Sequence, residues 1–175
     1  MLSLWHRLCG VTHTALLVRV PEAARAVSIV GAPSAGGLPP HLTIAYPFPR
    51  AALGDDATAA LGQLFRQHAA FDFTLHSVQR FDTVAYLAPT AVERFAALAT
   101  AVQDRFPGNP LYGGAFDTYI PHLSLGGLDL LSAEAETTVQ QTLPIRTRAT
   151  AVELWGQRRG RWVSAHRFPL APHYP

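Results

Sequence analysis

One five-residue pattern occurs twice in this chain of 175 residues, at Pro40–Ile44 and again at Pro121–Leu125. Each copy reads proline, histidine, leucine, a hydroxyl residue and an aliphatic residue. The chain has eight histidines, and chance alone places a hydroxyl residue two positions after about one of them. Requiring the preceding proline as well lowers that expectation to about 0.1. The duplicated pattern, more than either copy alone, therefore constrains the fold.

Both copies have the alternation that is typical of a β-strand, in which residues i and i+2 project to the same face. This spacing predicts that His41 and Thr43 share one face, while the aliphatic residues between and after them pack into a core. The same spacing predicts a shared face for His122 and Ser124. If the two strands face each other, two imidazoles and two hydroxyls surround one cavity.

Such a cavity suits a phosphodiester. A neutral imidazole accepts a proton from an attacking hydroxyl, and an imidazolium protonates the departing oxygen, because the pKa of histidine lies near working pH. Hydroxyl groups at Thr43 and Ser124 are suited to donating hydrogen bonds to the nonbridging phosphate oxygens. The alternative interpretation is that both prolines begin buried strands and both histidines are satisfied core residues. The duplication favours function.

Composition limits the remaining choices. Nearly half of the residues are apolar and 15% are charged, as in a folded domain. All the basic residues are arginines, and the net charge of +2 permits a nucleic-acid partner without indicating one. The single cysteine, Cys9, excludes an intrachain disulfide and a four-cysteine zinc site. We expect no metal, no cofactor, no signal peptide and no membrane span, and therefore a cytoplasmic protein.

The order of predicted elements indicates an α+β fold, which we interpret as one bilobal domain covering residues 1–175. Each half places a helix and a Gly/Pro-rich loop before its Pro-His-Leu strand. The predicted strands are Thr12–Val20, His41–Tyr46, Phe71–Gln79, Thr83–Ala88, Ile120–Leu125, Ile145–Trp155 and Arg161–Phe168. The predicted helices are Pro21–Ile29, a second from Asp55 or Asp56 to Ala69, a third from Pro89 or Thr90 to the residues before Pro107, and Ser132–Gln141.

With these motifs the chain resembles the two-histidine phosphoesterase superfamily, and within it the 2′-5′ RNA ligase family. The superfamily's signature is two copies of His-x-[Thr/Ser]-x, which His41–Ile44 and His122–Leu125 match. Further similarity lies in Ala15–Pro21, Tyr46–Phe48, Pro110–Gly114 and Gly160–Leu170. The resemblance implies two small antiparallel sheets flanked by helices, with a central cleft that takes one motif from each sheet.

The resemblance also implies an activity. Members hydrolyse 2′,3′-cyclic phosphates or reversibly join RNA ends through a 2′-5′ bond. In hydrolysis His41 would be the proton donor and His122 the acceptor. Gly126 and Gly127 follow the second motif, where some RNA-processing members carry a basic residue. This departure favours a small cyclic phosphate or nucleotide over a long RNA.

Several residues near the motifs are candidate substrate contacts. Tyr46 and Phe48 are predicted to stack on a base, or else to pack at the end of the strand. Tyr112 is predicted to lie on a lip over the cleft, or in a turn. The candidate phosphate contacts, each of which has a surface role as its alternative, are Arg50, Arg80, Arg158, Arg159 and Arg161.

The leading hypothesis is a metal-independent cyclic phosphodiesterase. It acts as a monomer on a small nucleotide or on an RNA 3′ end that carries a cyclic phosphate. The rival enzymatic hypotheses are 2′-5′ RNA ligation and hydrolysis of a sugar cyclic phosphate. A third hypothesis, from another class, is a non-catalytic protein that binds RNA or nucleotides.

Overall fold

The computed structural model describes residues 11–31, 35–49, 54–107 and 118–172. Eight strands and four α-helices are present in these ranges. The strands are β1 (Val11–Arg19), β2 (His41–Ala45), β3 (Phe71–Arg80), β4 (Val84–Pro89), β5 (Leu123–Gly127), β6 (Ile145–Ala149), β7 (Ala151–Arg158) and β8 (Arg161–Pro169). The helices are α1 (Ala24–Val30), α2 (Asp55–Phe65), α3 (Val92–Arg105) and α4 (Ala133–Gln140).

The strands form two four-stranded antiparallel sheets. Sheet 1 has the order β2-β1-β7-β8, and sheet 2 has the order β5-β4-β3-β6. The first histidine motif lies on the edge strand β2 and the second leads into the edge strand β5, and these two strands contact each other where the sheets meet. The bilobal α+β fold that the sequence predicts is therefore confirmed.

Two of the four described α-helices contact a strand of the other half's sheet. Helix α1 follows β1 of sheet 1 but packs on β5 of sheet 2, and α3 follows β4 of sheet 2 but packs on β2 of sheet 1. Each motif strand is consequently covered by a helix that belongs, along the chain, to the other half. One continuous cluster of buried apolar side chains includes residues of both sheets.

The aliphatic positions of the motifs determine which face of each motif strand is buried. Leu42 and Ile44 of β2 are fully buried, as are Leu123 and Leu125 of β5. Burying an aliphatic side chain of this size stabilises a fold by about 1.5–3 kcal/mol. A shift of one residue in either strand would expose its pair, so the opposite face is fixed for the polar members of the motif.

Most predicted elements agree with the structure, with differences at their ends. Ser132 caps α4 as expected, because its hydroxyl accepts a hydrogen bond from the Ala135 amide at 3.1 Å. The N-cap of α2 is Gly54, while the two predicted capping aspartates lie in its first turn, where they favour the positive end of the helix dipole. Helix α2 ends at Phe65, four residues earlier than predicted.

Two predicted strands are wrong in part. The run Ile145–Trp155 is not one strand but two, because β6 ends at Ala149 in sheet 2 and β7 begins at Ala151 in sheet 1. The strand predicted from Ile120 begins only at Leu123. Among the described residues, no helix is long and apolar enough to cross a membrane.

Candidate active site

His41 is the first residue of β2, and its ring is fixed by the chain just before it. Its Nδ1 lies 2.7 Å from the carbonyl oxygen of Pro39. A carbonyl only accepts hydrogen bonds, so Nδ1 carries the proton in the neutral ring. Nε2 is then the atom that exchanges a proton with a substrate.

His122 is held in the same way in the other lobe. Its Nδ1 lies 2.8 Å from the carbonyl oxygen of Ile120, again the residue two positions earlier. In both motifs the residue between the carbonyl and the histidine is a proline, Pro40 or Pro121, whose fixed φ restricts how the carbonyl is presented. The duplicated sequence thus gives a duplicated hydrogen bond, with Nδ1 as donor and Nε2 as the reactive atom in each ring.

Both imidazoles have a lowered pKa. For His41, burial lowers the pKa below its usual 6.5, the hydrogen bond to Pro39 opposes this, and the charge of His122 lowers it further. For His122, burial lowers the pKa and the hydrogen bond to Ile120 opposes this. Because the charge of His122 reaches His41, the two rings share one electrostatic environment. A single shared proton is favoured over two, as one acid and one base require.

The motif hydroxyls lie on the same face of each sheet as the histidines. Thr43 and Ser124 are each two positions beyond their histidine; Thr43 is half-buried and Ser124 is exposed. A tyrosine that the sequence analysis did not single out, Tyr119, links the lobes here, because its hydroxyl donates to the Thr43 carbonyl at 2.8 Å. That bond occupies a backbone acceptor on the edge of β2, beside the cleft.

Two further aromatic residues border His122. Tyr86 of β4 is the cross-strand partner of Ser124, and its ring stacks on Phe81 with centroids 4.2 Å apart. Both rings pack at a steep angle to the His122 imidazole, with centroid distances of 5.0 Å for Phe81 and 5.5 Å for Tyr86. Sequence reasoning missed them because the signal is the pairing of β4 with β5, which the chain order does not give.

A pocket of about 210 Å³ opens next to His122 and Ser124. Its wall is largely apolar, formed by Phe81, Val84 and Ile120, with hydroxyl groups at its margin. A single water molecule needs far less space than this. The pocket is therefore larger than a hydrolytic water requires, and its wall suits an organic group.

The two described residues that were predicted to stack on a base have different surroundings. Phe48 is 2% exposed and packs edge-on against Phe106, so it has no ring face to offer, and the stacking role predicted for it is wrong. Tyr46 is half-buried near His13 and lies five residues beyond His41, roughly 16 Å along the strand direction. Tyr112 lies outside the described residues.

The arginines predicted as phosphate contacts also lie away from the histidines. Arg80 is paired with Glu136 on the outer side of sheet 2. Arg158 and Arg161 are opposite each other across the β7–β8 hairpin, and Arg158 is also opposite Val11. Val11 and Arg19 are the two ends of β1, and Arg19 is the end beside His41. The two ends are roughly 26 Å apart along the strand. Arg159 lies in the hairpin turn with a positive φ, and Arg50 is outside the described residues.

No group of three or more His, Cys, Asp or Glu side chains that could hold a metal ion occurs within residues 11–31, 35–49, 54–107 and 118–172.

Comparison with known proteins shows which family the chain belongs to. A family model described as the 2′-5′ RNA ligase superfamily matches residues 17–161, which include both histidine motifs. The chain belongs to this superfamily. This superfamily falls within the two-histidine phosphoesterases that the motifs resemble. No curated protein matches the chain closely enough to count as a relative.

Solved structures share the fold of this superfamily member at low sequence identity. TT0787 of Thermus thermophilus is 19% identical, with a TM-score of 0.62 over 93% of this chain and all of its own. LigT of E. coli in complex with 3′-AMP is 16% identical, with a TM-score of 0.55 over 90% of this chain and 97% of its own. A structure described as a phosphoesterase gives 18% identity and a TM-score of 0.56, over 91% of this chain and 98% of its own.

Proposed function

We propose that this protein is a metal-independent phosphoesterase that hydrolyses 2′,3′-cyclic phosphates on nucleotides or RNA ends. One observation supports the proposal most directly. In both motifs Nδ1 donates to the carbonyl of the residue two positions earlier, so both imidazoles present Nε2 as the atom that exchanges protons. Superfamily membership supports the same class of chemistry.

In the proposed reaction water attacks the phosphorus atom of the cyclic diester. Nε2 of His122 removes a proton from the water as the new P–O bond forms. Nε2 of His41, protonated at the start, gives its proton to the ribose oxygen as the ring P–O bond breaks. The pair carries one proton before and after the step, and proton exchange with solvent resets the two rings. Each positioned proton transfer is typically worth 10²–10⁴-fold in rate.

The hydroxyls of Thr43 and Ser124 are proposed to donate hydrogen bonds to the nonbridging oxygens, where negative charge increases in the transition state. The pocket beside His122, with Phe81 as its aromatic wall, is proposed to receive the base or the sugar of the nucleotide. Phe81 takes the base-stacking role that the sequence suggested for Phe48. E. coli LigT has been crystallised with 3′-AMP and with NADP⁺, both nucleotides, which supports a ligand of this chemistry.

The same pair of histidines can run the chemistry in reverse, so 2′-5′ ligation is the second candidate, and the superfamily to which the chain belongs favours it. Hydrolysis of a sugar cyclic phosphate would use the same groups. A nucleotide-binding protein without catalysis would keep the cleft and lack turnover. Turnover of defined substrates separates all of these hypotheses.

The test is hydrolysis of 2′,3′-cyclic nucleotides in EDTA by the wild type, His41→Ala and His122→Ala. His76→Ala is the matched control, because the Nδ1 of His76 also contacts a backbone carbonyl, at 3.0 Å, but His76 lies on β3 outside both motifs. We expect activity in the wild type and the control and its loss in both motif variants. Full activity in either motif variant would disprove the paired-histidine mechanism. Tight nucleotide binding without turnover would favour the non-catalytic hypothesis.

A further inference from the structure

Arg19, the last residue of β1, is the cross-strand partner of His41. Directly opposed residues in an antiparallel pair project from the same face of a sheet, with Cβ atoms about 4.5–5.5 Å apart. Thr43 is opposite Leu17 on the same two strands, so the side chains of His41, Thr43 and Arg19 all point towards the cleft. The sequence analysis did not include Arg19 among its candidate phosphate contacts.

A buried carboxylate holds this arginine. Glu153 of β7 is opposite Leu17, which places it diagonally from Arg19 on the same face. One carboxylate oxygen of Glu153 lies 3.8 Å from an Arg19 guanidinium nitrogen. The other oxygen accepts a hydrogen bond from the indole Nε1 of Trp155 at 2.9 Å.

The two partners differ in exposure. The Arg19 side chain is 44% exposed and that of Glu153 only 10%. A buried carboxylate is costly without a partner, so this one tends to keep a cation beside it. The indole of Trp155 keeps Glu153 in place, while the longer and more exposed Arg19 side chain can move.

The two sheets are unequal at this position. Along β4 and β5, Leu87 is opposite Leu123, and continuing that register by one residue places Ala88 opposite His122. Gly126 and Gly127 follow the second motif and supply no charge. His41 in sheet 1 thus has an arginine as its cross-strand partner, whereas the register of sheet 2 continues to an alanine.

We propose that Arg19 binds the substrate phosphate, and that Glu153 holds the guanidinium beside the cleft until the anion arrives. This assignment rests on the proposed function, since it concerns the phosphate that His41 and His122 act on. A guanidinium matches two phosphate oxygens through parallel N–H···O bonds, which ammonium groups cannot do. The cation absent after the second motif is supplied from sheet 1, and the pocket beside His122 remains for the organic part of the substrate.

The resting contact with Glu153 has a chemical use. It draws the Arg19 guanidinium towards β7 and away from β2. In the empty site the guanidinium therefore does not crowd the protonated His41 imidazole. A bound phosphate brings negative charge between them and makes the closer position of Arg19 favourable. Arg19 is then a substrate-binding residue, and Glu153 is a positioning residue that acts through it.

Binding of inorganic phosphate and of 3′-AMP, measured by calorimetry, tests the assignment independently of turnover. Removing Arg19 alone would leave the buried Glu153 carboxylate without its cation, so the informative comparison is Glu153→Gln against the double variant Arg19→Gln/Glu153→Gln. We expect Glu153→Gln to keep wild-type phosphate affinity within a few-fold. We expect the double variant to bind phosphate about 10- to 100-fold more weakly, the range for a hydrogen bond to a charged group.

Two further variants separate binding from folding. Arg19→Lys should restore part of the phosphate affinity, because it returns the charge without the paired donors. Arg167→Gln is the matched control, since Arg167 is opposite Glu153 on β8, two strands further from His41; it should bind phosphate as the wild type does. In turnover assays the Arg19 loss should raise KM for the cyclic nucleotide and weaken its dependence on salt.

Equal phosphate affinity in Glu153→Gln and the double variant would overturn the assignment, as would a wild type that binds neither phosphate nor 3′-AMP. These outcomes are distinct from failure of the proposed function, in which His41→Ala and His122→Ala turn over cyclic nucleotides as fast as the wild type. A wild type that binds phosphate through Arg19 but lacks turnover would support this inference and contradict the catalytic one.

Discussion

Asparagine in place of each histidine separates the two tasks of these rings. The amide nitrogen of asparagine lies close to where Nδ1 lies in histidine, so His41→Asn and His122→Asn can still donate to the carbonyls of Pro39 and Ile120. Both variants lack any atom at the position of Nε2. We therefore expect them to fold like the wild type and to lose proton transfer.

Loss of proton transfer at Nε2 and loss of the hydrogen bond at Nδ1 have effects of different size. Loss of one proton transfer lowers kcat/KM by about 10²–10⁴-fold, or roughly 3–5 kcal/mol of transition-state stabilisation. Loss of the Nδ1 hydrogen bond, as in His41→Ala, removes about 0.5–1.5 kcal/mol of folding stability. For a chain of this size that lowers Tm by about 1–6 °C. The Asn variants should keep a Tm close to wild type while losing as much activity as the Ala variants.

The assays are initial rates on a 2′,3′-cyclic nucleotide in EDTA and thermal unfolding of the same preparations. The double variant His41→Asn/His122→Asn should be little slower than the worse single variant, because the two rings act on one reaction step. An Asn variant that keeps more than about a tenth of wild-type kcat/KM would refute the assignment of Nε2 as the reactive atom. Asn and Ala variants with equally lowered Tm would refute the Nδ1 anchor.

Two more predictions concern the same site. Because burial lowers the pKa of both His41 and His122 below 6.5, the state with one shared proton is populated on the acidic side of that value. The profile of kcat/KM against pH should then be a bell centred below pH 6.5, falling as pH rises and the last proton leaves; a maximum near pH 8 would contradict it. Ser124→Ala, which removes one donor to a nonbridging oxygen, should lower kcat about 10²-fold with little change in KM. An unchanged kcat would exclude Ser124 from contact with the charge that develops in the transition state.

The duplicated motif allowed the placement of the candidate site side chains to be predicted from sequence, because its information is local. Strand periodicity places His41 with Thr43 and His122 with Ser124, and the neighbouring aliphatic residues bury the opposite face. The alternation from Phe71 to Gln79 likewise predicts β3 nearly to its ends, since each apolar residue at its start enters the core.

The larger features that sequence reasoning missed are non-local. In the sequence Phe48 resembles an exposed aromatic residue, because its contact with Phe106, far along the chain, cannot be seen there. The break at Thr150 between β6 and β7 cannot be inferred from a continuous β-rich run, because it depends on which sheet each half joins. Arg19 becomes a site residue only through its register opposite His41. Periodicity within a segment does not encode pairing between segments.

The exchange of α1 and α3 between the lobes has a consequence for how this chain can be divided. Sheet 2 is built from one continuous stretch, residues 71–149, whereas sheet 1 joins strands from both ends of the described chain. Yet β5 of the continuous stretch needs α1 from outside it as cover, and β2 needs α3 from within it. Neither half of this apparent duplication can therefore be excised with its histidine strand intact. The strand that carries each imidazole thus packs against a helix contributed by the other half of the chain.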